Sequence, residues 1–137
     1  MHMSVPKSRR GESNALFVYK ARELKIHTMR QCVHFPKRFT FYIGQDIAES
    51  ANRIYRYVIQ ADNIYPVNKH EAQERRDWVV RAEGELKTLN ANICVADEMF
   101  GISENIMLKW SELIDTEMRL LTGVKKKDRE RYKNLDD

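Results

Sequence analysis

Apolar residues recur every three or four positions along most of the chain, which is the period of an amphipathic helix. This spacing predicts four helices, over residues 14–34, 38–63, 70–99 and 104–122, and the third shows the most regular repeat. Each helix is expected to turn its apolar stripe towards a common core. The predicted core-facing stripes are Phe17, Ala21, Leu24, Thr28 and Cys32; then Phe39, Ile43, Ile47, Ala51, Ile54, Val58 and Ala61; then Trp78, Ala82, Leu86, Leu89, Ile93, Ala96 and Phe100; and finally Ile106, Trp110, Leu113, Ile114 and Leu121.

Proline and glycine separate these helices. Pro36 and Pro66 lie in the first two connections, because proline lacks a backbone donor and pushes the preceding residue out of the helical region. Gly101 and Gly123 are expected to end the third and fourth helices. Four amphipathic helices with short connections are typical of an antiparallel up-down four-helix bundle, so the sequence predicts an all-α fold over residues 14–124.

Two sequence features are not explained by the packing of a single bundle. Glu117 falls on the apolar stripe of the fourth helix, where a carboxylate has no expected partner. The first helix carries a second apolar band, formed by Val18, Ile26, Met29 and Val33, on the side away from the core. This second band predicts a subunit interface, and hence a homo-oligomer.

The positive charge is concentrated at the two ends of the chain. The formal net charge is +4, and residues 1–39 carry nine Lys and Arg against two Glu. Residues 123–137 carry six basic against four acidic side chains. We expect residues 1–13 to form a flexible basic arm, and residues 125–137 to form a charged tail that is helical only if other parts of the protein hold it.

Such a charge distribution indicates a polyanionic partner, although solvated surface charge is the alternative for each basic residue. Phosphate binding requires only positive charge in register with a nucleic-acid backbone, so RNA and DNA are both candidates. Trp78 and Trp110 could stack on bases, but their place on apolar stripes favours core packing. The candidate phosphate-binding residues are Lys37, Arg38, Arg53, Arg56, Arg75, Arg76, Lys125, Lys126 and Lys127.

The sequence contains no recognisable carrier of catalysis. His27 and His34 lie two turns apart on the predicted first helix while Cys32 points elsewhere, so these three residues do not fit one metal ion. There is no Glu-x-x-His pair of the kind that di-iron bundles use, and no glycine loop that would cradle a phosphate. We therefore expect a binding protein without a metal or cofactor, and a small bundle enzyme is the least favoured alternative.

Hydropathy and cysteine content indicate a cytoplasmic protein. No run approaches the roughly 20 apolar residues that a membrane span requires, and the first residues lack the apolar segment of a signal peptide. Cys32 and Cys94 are the two cysteines, which is too few for a disulfide framework. We expect both thiols to be reduced.

Three segments resemble the accessory variability proteins of diversity-generating retroelements. Residues 35–47, FPKRFTFYIGQDI, are similar to that family's corner of Phe-Pro, basic and aromatic residues followed by Gly-Gln-x-Ile. Residues 85–89, ELKTL, resemble its leucine-bearing segment. Residues 119–124, RLLTGV, are similar to its Arg-Met-Leu-Gly-Gly-Trp ending, with Thr122 in place of a glycine and Val124 in place of the tryptophan.

This resemblance implies a basic, barrel-like homopentamer that binds a reverse transcriptase and its template RNA or DNA during mutagenic copying. The same fold family includes four-helix-bundle proteins encoded in intervening sequences of bacterial large-subunit ribosomal RNA. Residues 47–50, IAES, are similar to a segment of those proteins, which makes a bundle protein associated with ribosomal RNA the alternative. The first interpretation implies a binding function, whereas the role of the proteins in the alternative is less defined.

Overall fold

The computed structural model describes residues 12–137, and their side chains from residue 16 onward. The predicted flexible arm therefore lies outside the described residues, apart from its last two, which belong to the first helix. The described part of the chain is all-helical and contains no strand, which confirms the all-α part of the prediction. Its elements are α1 (Glu12–Cys32), α2 (Lys37–Phe39), a π-helical segment (Thr40–Gly44), α3 (Gln45–Asp62), α4 (Lys69–Phe100) and α5 (Glu104–Arg131).

The four long helices surround one hydrophobic core. Helix α1 packs on α3 and α5, and α4 packs on the same two helices. The predicted core stripes of α1 and α3 are largely buried as expected, and Trp110, Leu113, Ile114 and Leu121 of α5 are buried with them. No helix between residues 12 and 137 has the length and apolar character needed to cross a membrane.

The stripe of α4 differs from the prediction at its first turns. Trp78 is only half-buried, and Val79 takes the core position instead. The Trp78 ring packs beside Tyr57 of α3, with ring centroids 5.7 Å apart, and the Arg81 guanidinium lies 4.7 Å from its centroid. An indole can pack at the edge of a core and still serve as a face for a cation, so a regular spacing alone did not identify its position.

Side chains fix where α4 begins, and a glycine marks where it ends. The Asn68 side chain accepts a hydrogen bond from the Glu71 backbone amide at 2.8 Å, and the Glu71 carboxylate accepts one from the Val67 amide at 2.9 Å. The first bond satisfies one of the amides that a helix start leaves unpaired, and the second ties the residue before the N-cap to the first turn. At the other end Gly101 has a φ of 77°, which glycine adopts without strain.

Helix α5 continues through Gly123 to Arg131, so the predicted end at Gly123 is wrong. A glycine inside a helix costs about 1 kcal/mol relative to alanine. Tertiary contacts outweigh that cost, because Val124 is buried, Lys125 pairs with Glu83 at 2.7 Å, and Asp128 pairs with Arg75 at 2.7 Å. The segment predicted as a charged tail thus begins with two further helical turns.

Polar groups inside the core form specific hydrogen bonds. The Thr28 hydroxyl donates to the Leu24 carbonyl at 2.7 Å and accepts from the Trp110 indole nitrogen at 2.9 Å. The Ser50 hydroxyl donates to Glu85 at 2.6 Å, which links α3 to α4. These bonds satisfy polar atoms that would otherwise be costly to bury.

Two side chains among the described residues depart from this pattern, His27 at its Nε2 atom and Glu117 at both carboxylate oxygens. The Glu117 side chain is fully buried on α5, and neither carboxylate oxygen has a hydrogen-bond partner among the described residues. Burial raises the pKa of Glu117 from 4.5 to about 9, against a smaller opposing effect of the positive charge of Lys20. Glu117 is therefore a neutral acid at neutral pH, which explains how it occupies an apolar stripe.

Replacing Glu117 with leucine should make the fold less sensitive to alkaline pH. In the parent the folded state keeps this proton up to about pH 9, whereas the unfolded chain loses it near the ordinary pKa of 4.5. The folded state thus binds more protons between these values, and the free energy of unfolding should fall by about 1.4 kcal/mol per pH unit as the pH rises. Urea unfolding at about pH 7 and about pH 8.5 measures this slope.

The titration of His27, which would change stability in the opposite direction, lies below this pH range. Burial lowers the pKa of His27 below 6.5, so its effect on stability rises with pH and is complete above that value. Glu117→Leu should be more stable than the parent, and the difference should grow between the two pH values. Parallel stability curves for parent and variant would show that Glu117 is ionised or solvated in the folded state.

Candidate functional site

A basic groove lies between the first turns of α4 and the end of α5, with a cavity volume of about 460 Å³. Lys69 and Arg76 line it from α4, and Lys125 and Arg129 line it from α5. Tyr132 and Lys133 extend it beyond the end of α5. We call this set of six residues the α4/α5 groove.

The lining of the groove is rich in cations. Asp128 is the one carboxylate in its lining, and that carboxylate pairs with Arg75. Arg76 and Arg129 form no ion pair within residues 12–137. Five cations therefore face a space in which no carboxylate is uncommitted.

Several of these cations have partners that a polyanion could displace. Lys69 lies 3.7 Å from Asp137, and Lys133 lies 3.0 Å from Glu130; both pairs are largely exposed. Exposed ion pairs contribute little free energy, typically about 0 to 1 kcal/mol, so these lysines can exchange partners readily. The Lys125 to Glu83 pair at 2.7 Å is more buried, and it fixes the position of α5 against α4.

Arg75 builds this groove but does not line it. Its Nε donates to Asp128 Oδ2 at 2.7 Å, and its Nη1 donates to the Ala61 carbonyl at 2.8 Å and more weakly to the Ile64 carbonyl at 3.4 Å. Only 5% of Arg75 is exposed. The prediction that Arg75 binds phosphate is therefore wrong, because its guanidinium is enclosed and engaged within the protein.

The end of the chain folds back onto the start of α4. The Lys69 backbone amide, one of the amides that a helix start leaves free, donates to the Asp136 carbonyl at 2.9 Å. The Tyr132 amide donates to the Asp128 carbonyl at 2.9 Å and the Leu135 amide to the Tyr132 carbonyl at 3.3 Å, which turns the chain after α5. These contacts hold Lys133 beside the groove.

Arg53, which was also predicted to bind phosphate, lies in an ion pair between α3 and α4. Its guanidinium is 3.0 Å from Glu85, and the same Glu85 oxygen accepts the bond from Ser50. Burial acts to raise the pKa of Glu85, but the bonds from Arg53 and Ser50 outweigh it and lower that pKa. Arg53 is thus partly neutralised, whereas Arg56 on the same helix is exposed with no ion pair among the described residues.

The nine candidate residues do not form one site. Arg76 and Lys125 share the α4/α5 groove, while Lys126 and Lys127 are exposed on α5 outside its lining. Lys37 and Arg38 lie in α2, whose Phe39 packs against Phe100 at the opposite end of α4. Since α4 has 32 residues and a helix rises 1.5 Å per residue, the two ends lie about 45 Å apart.

Sequence reasoning missed Lys69, Arg129, Tyr132 and Lys133. The signal was present in the spacing of four between Lys125, Arg129 and Lys133, which places such residues on one face of a helix. Gly123 obscures this signal, because a glycine at that position indicates the end of a helix. No group of three potential ligands for a metal ion occurs among the residues that the structure describes.

Replacing Asp128 with alanine should destabilise the protein by roughly 3 kcal/mol, because the change leaves the buried Arg75 guanidinium without its charged partner. Glu130→Ala on the same helix is the matched control, since it removes the exposed pair with Lys133 and should change stability by about 0.5 kcal/mol or less. Urea unfolding followed by circular dichroism measures both. Equal midpoints for the two variants would contradict the structural role assigned to Arg75.

Comparisons with known proteins give no independent information about the groove. No protein-family model matches the sequence, and no curated protein and no solved structure matches the chain.

Proposed function

We propose that the protein is a non-enzymatic accessory protein that binds RNA and DNA, with the α4/α5 groove as a contact to the phosphate backbone. The observation that carries this proposal is the groove's charge: Arg76 and Arg129 form no ion pair among the described residues, and Lys69 and Lys133 are held only in exposed pairs. The single carboxylate of the lining is neutralised by Arg75. Cations of this kind supply the sequence-independent part of nucleic-acid binding.

The layout of the groove favours a polyanion over a small anion. Lys69 and Arg76 are seven residues apart on α4, which corresponds to about 10 Å along the helix. One strand of duplex DNA carries a phosphate about every 3.4 Å along the duplex axis, so a contact of this length parallel to that axis spans about three phosphates. A single small anion would instead need donors that converge on one point.

The proposal extends to a protein partner and to self-association. A reverse transcriptase with its template is the partner that the resemblance of residues 35–47 implies, and a barrel-like homo-oligomer, a pentamer by the same resemblance, is the proposed assembly. On α1, Ile26 and Met29 are half-buried, and Val33, directly after the end of α1, is 78% exposed, which leaves apolar surface on the outer side of the bundle. Val18 instead packs against the core of the same chain.

We further propose the antiparallel up-down arrangement of the helices, which pairs of contacts support. Between α3 and α4, Arg53 pairs with Glu85 near the middle of each helix, and the Ala61 carbonyl accepts from Arg75 nearer the loop that joins them. Between α4 and α5, Lys125 contacts Glu83, whereas the later Asp128 contacts the earlier Arg75. In each pair, a later residue of one helix meets an earlier residue of the other.

Replacing Arg76 and Arg129 together with alanine should weaken binding to RNA and DNA and reduce its salt dependence. For duplex DNA, the slope of log affinity against log salt should become less steep by about 1.8, since each lost phosphate contact contributes about 0.9. Fluorescence anisotropy with a labelled duplex, titrated at several salt concentrations, measures the slope. The fold should be retained, because neither arginine forms an ion pair within the described residues.

The matched control replaces Lys87 of α4 and Arg119 of α5 with alanine. Both are exposed cations outside the groove on the same two helices, so the net charge changes by the same amount. This control should keep most of the affinity and the parent slope. If the two double variants behave alike, binding depends on overall charge and the groove is not the site.

The proposed self-association predicts a particle heavier than the 16.3 kDa chain. Light scattering coupled to size exclusion at micromolar concentration measures the mass. Met29→Glu should shift the particle towards the monomer, because a charge on this side of α1 would have to be buried in the interface. Arg22→Glu, an exposed position on the same helix, is the control. A monomeric parent would contradict the oligomer.

A further inference from the structure

Two aromatic rings project into solvent at the corner between α1 and α3. Phe41 is 71% exposed and Tyr42 is 74% exposed. Their ring centroids lie 5.3 Å apart at an interplanar angle of 78°, so the rings meet edge to face. Large apolar faces in water usually mark a contact surface. We call Lys37, Arg38, Phe41 and Tyr42 the aromatic corner.

The local backbone explains why these rings point outward. Residues Thr40–Gly44 form a π-helical turn, a rare conformation that often occurs at functional sites. Phe39 stacks on Phe100 with centroids 5.1 Å apart, Ile43 packs against the core, and Gly44 is buried beside Phe35. The inward positions of the turn are thus filled by other residues, which leaves Phe41 and Tyr42 on its outer side.

The segment that carries the rings is positively charged, and the nearest carboxylate after it in sequence is the exposed Asp46. Residues 24–45 contain no Asp or Glu. Lys37 and Arg38 are exposed and form no ion pair within the described chain, and the Arg38 guanidinium lies 5.0 Å from the centroid of Phe39. On the neighbouring end of α4, Asp97 is engaged with the Ile102 amide at 2.8 Å. Exposed aromatic faces therefore lie beside cations that have no anion of their own.

We propose that the aromatic corner binds unpaired nucleotides of single-stranded RNA or DNA, with bases stacked on Phe41 and Tyr42 and phosphates held by Lys37 and Arg38. Every base offers a flat face, so aromatic stacking beside cations binds single strands with little sequence preference. A duplex hides those faces, and an apolar protein partner would have to dehydrate the two cations without pairing them. The inference rests on the proposed nucleic-acid function and assigns a second, distinct contact to it.

The test compares single and double strands on matched variants. Phe41→Leu/Tyr42→Leu removes both rings but keeps apolar side chains, and Tyr65→Leu removes an 80% exposed ring in the connection between α3 and α4. Fluorescence anisotropy measures the affinity for a labelled oligothymidine of about 20 nucleotides and for a duplex of equal length. The double variant should lose about tenfold or more in single-strand affinity, since stacking contributes about that much per base, with little change for the duplex.

A crosslinking measurement locates the contact directly. Ultraviolet irradiation of the parent with an oligonucleotide containing 5-iodouracil should attach the base to a ring that it contacts. After trypsin digestion, the labelled peptide should be residues 39–53, which contain both rings and are bounded by Arg38 and Arg53. Crosslinks confined to other peptides would overturn the proposal.

The remaining outcomes separate this inference from the proposed function. If the double leucine variant binds single strands as tightly as the parent, while Arg76→Ala/Arg129→Ala binds weakly, the corner is wrong and the groove stands. If the parent binds neither polynucleotide, both the proposed groove and the proposed aromatic-corner contact are wrong. If Tyr65→Leu loses as much as the corner variant, or the corner variant loses single-strand and duplex binding equally, stacking at this corner is refuted. A change in particle mass by light scattering would show that the rings mediate self-association instead.

Discussion

A buried guanidinium group needs hydrogen-bond acceptors from the protein, and those of Arg75 come from two other parts of the chain. The Ala61 carbonyl comes from the end of α3, and the Asp128 carboxylate comes from the last turns of α5. Leaving such a charge unpaired costs several kcal/mol, so the α3 end, α4 and the α5 extension are coupled through one side chain. The α4/α5 groove depends on this coupling, because α5 carries Lys125 and Arg129 into it.

The helices could be predicted from the sequence because their apolar spacing is unambiguous and prolines separate the first three. The stripe through Leu86, Leu89 and Ile93 is buried as expected. The end of α5 could not be predicted in the same way, since Gly123 is a local signal and the contacts that override it are distant in sequence. In the sequence Glu117 is an anomaly on an apolar stripe, and only its complete burial reveals that it is a neutral acid.

The candidate site was predictable only in part, because charge in a sequence does not reveal whether a cation is engaged. Arg75 and Arg76 are neighbours in sequence, yet one is buried in a structural ion pair and the other lines the groove. Lys37 and Arg38 gain interest from the exposed rings beside them, an arrangement that depends on the π-helical turn. Such distinctions come from backbone geometry and burial, which composition and spacing do not contain.

The central claim is that residues 125–131 of α5, anchored by Arg75, form a phosphate-binding groove with α4. Hydrogen–deuterium exchange on the whole protein, with and without a polynucleotide, tests it. In the free protein, amides of residues 125–131 should exchange slowly, because they are helical and anchored by Arg75. Added nucleic acid should further slow exchange in residues 69–76 and 125–133, and leave the region around Lys87 unchanged. Fast exchange of residues 125–131 in the free protein, or ligand protection confined to other segments, would contradict the account.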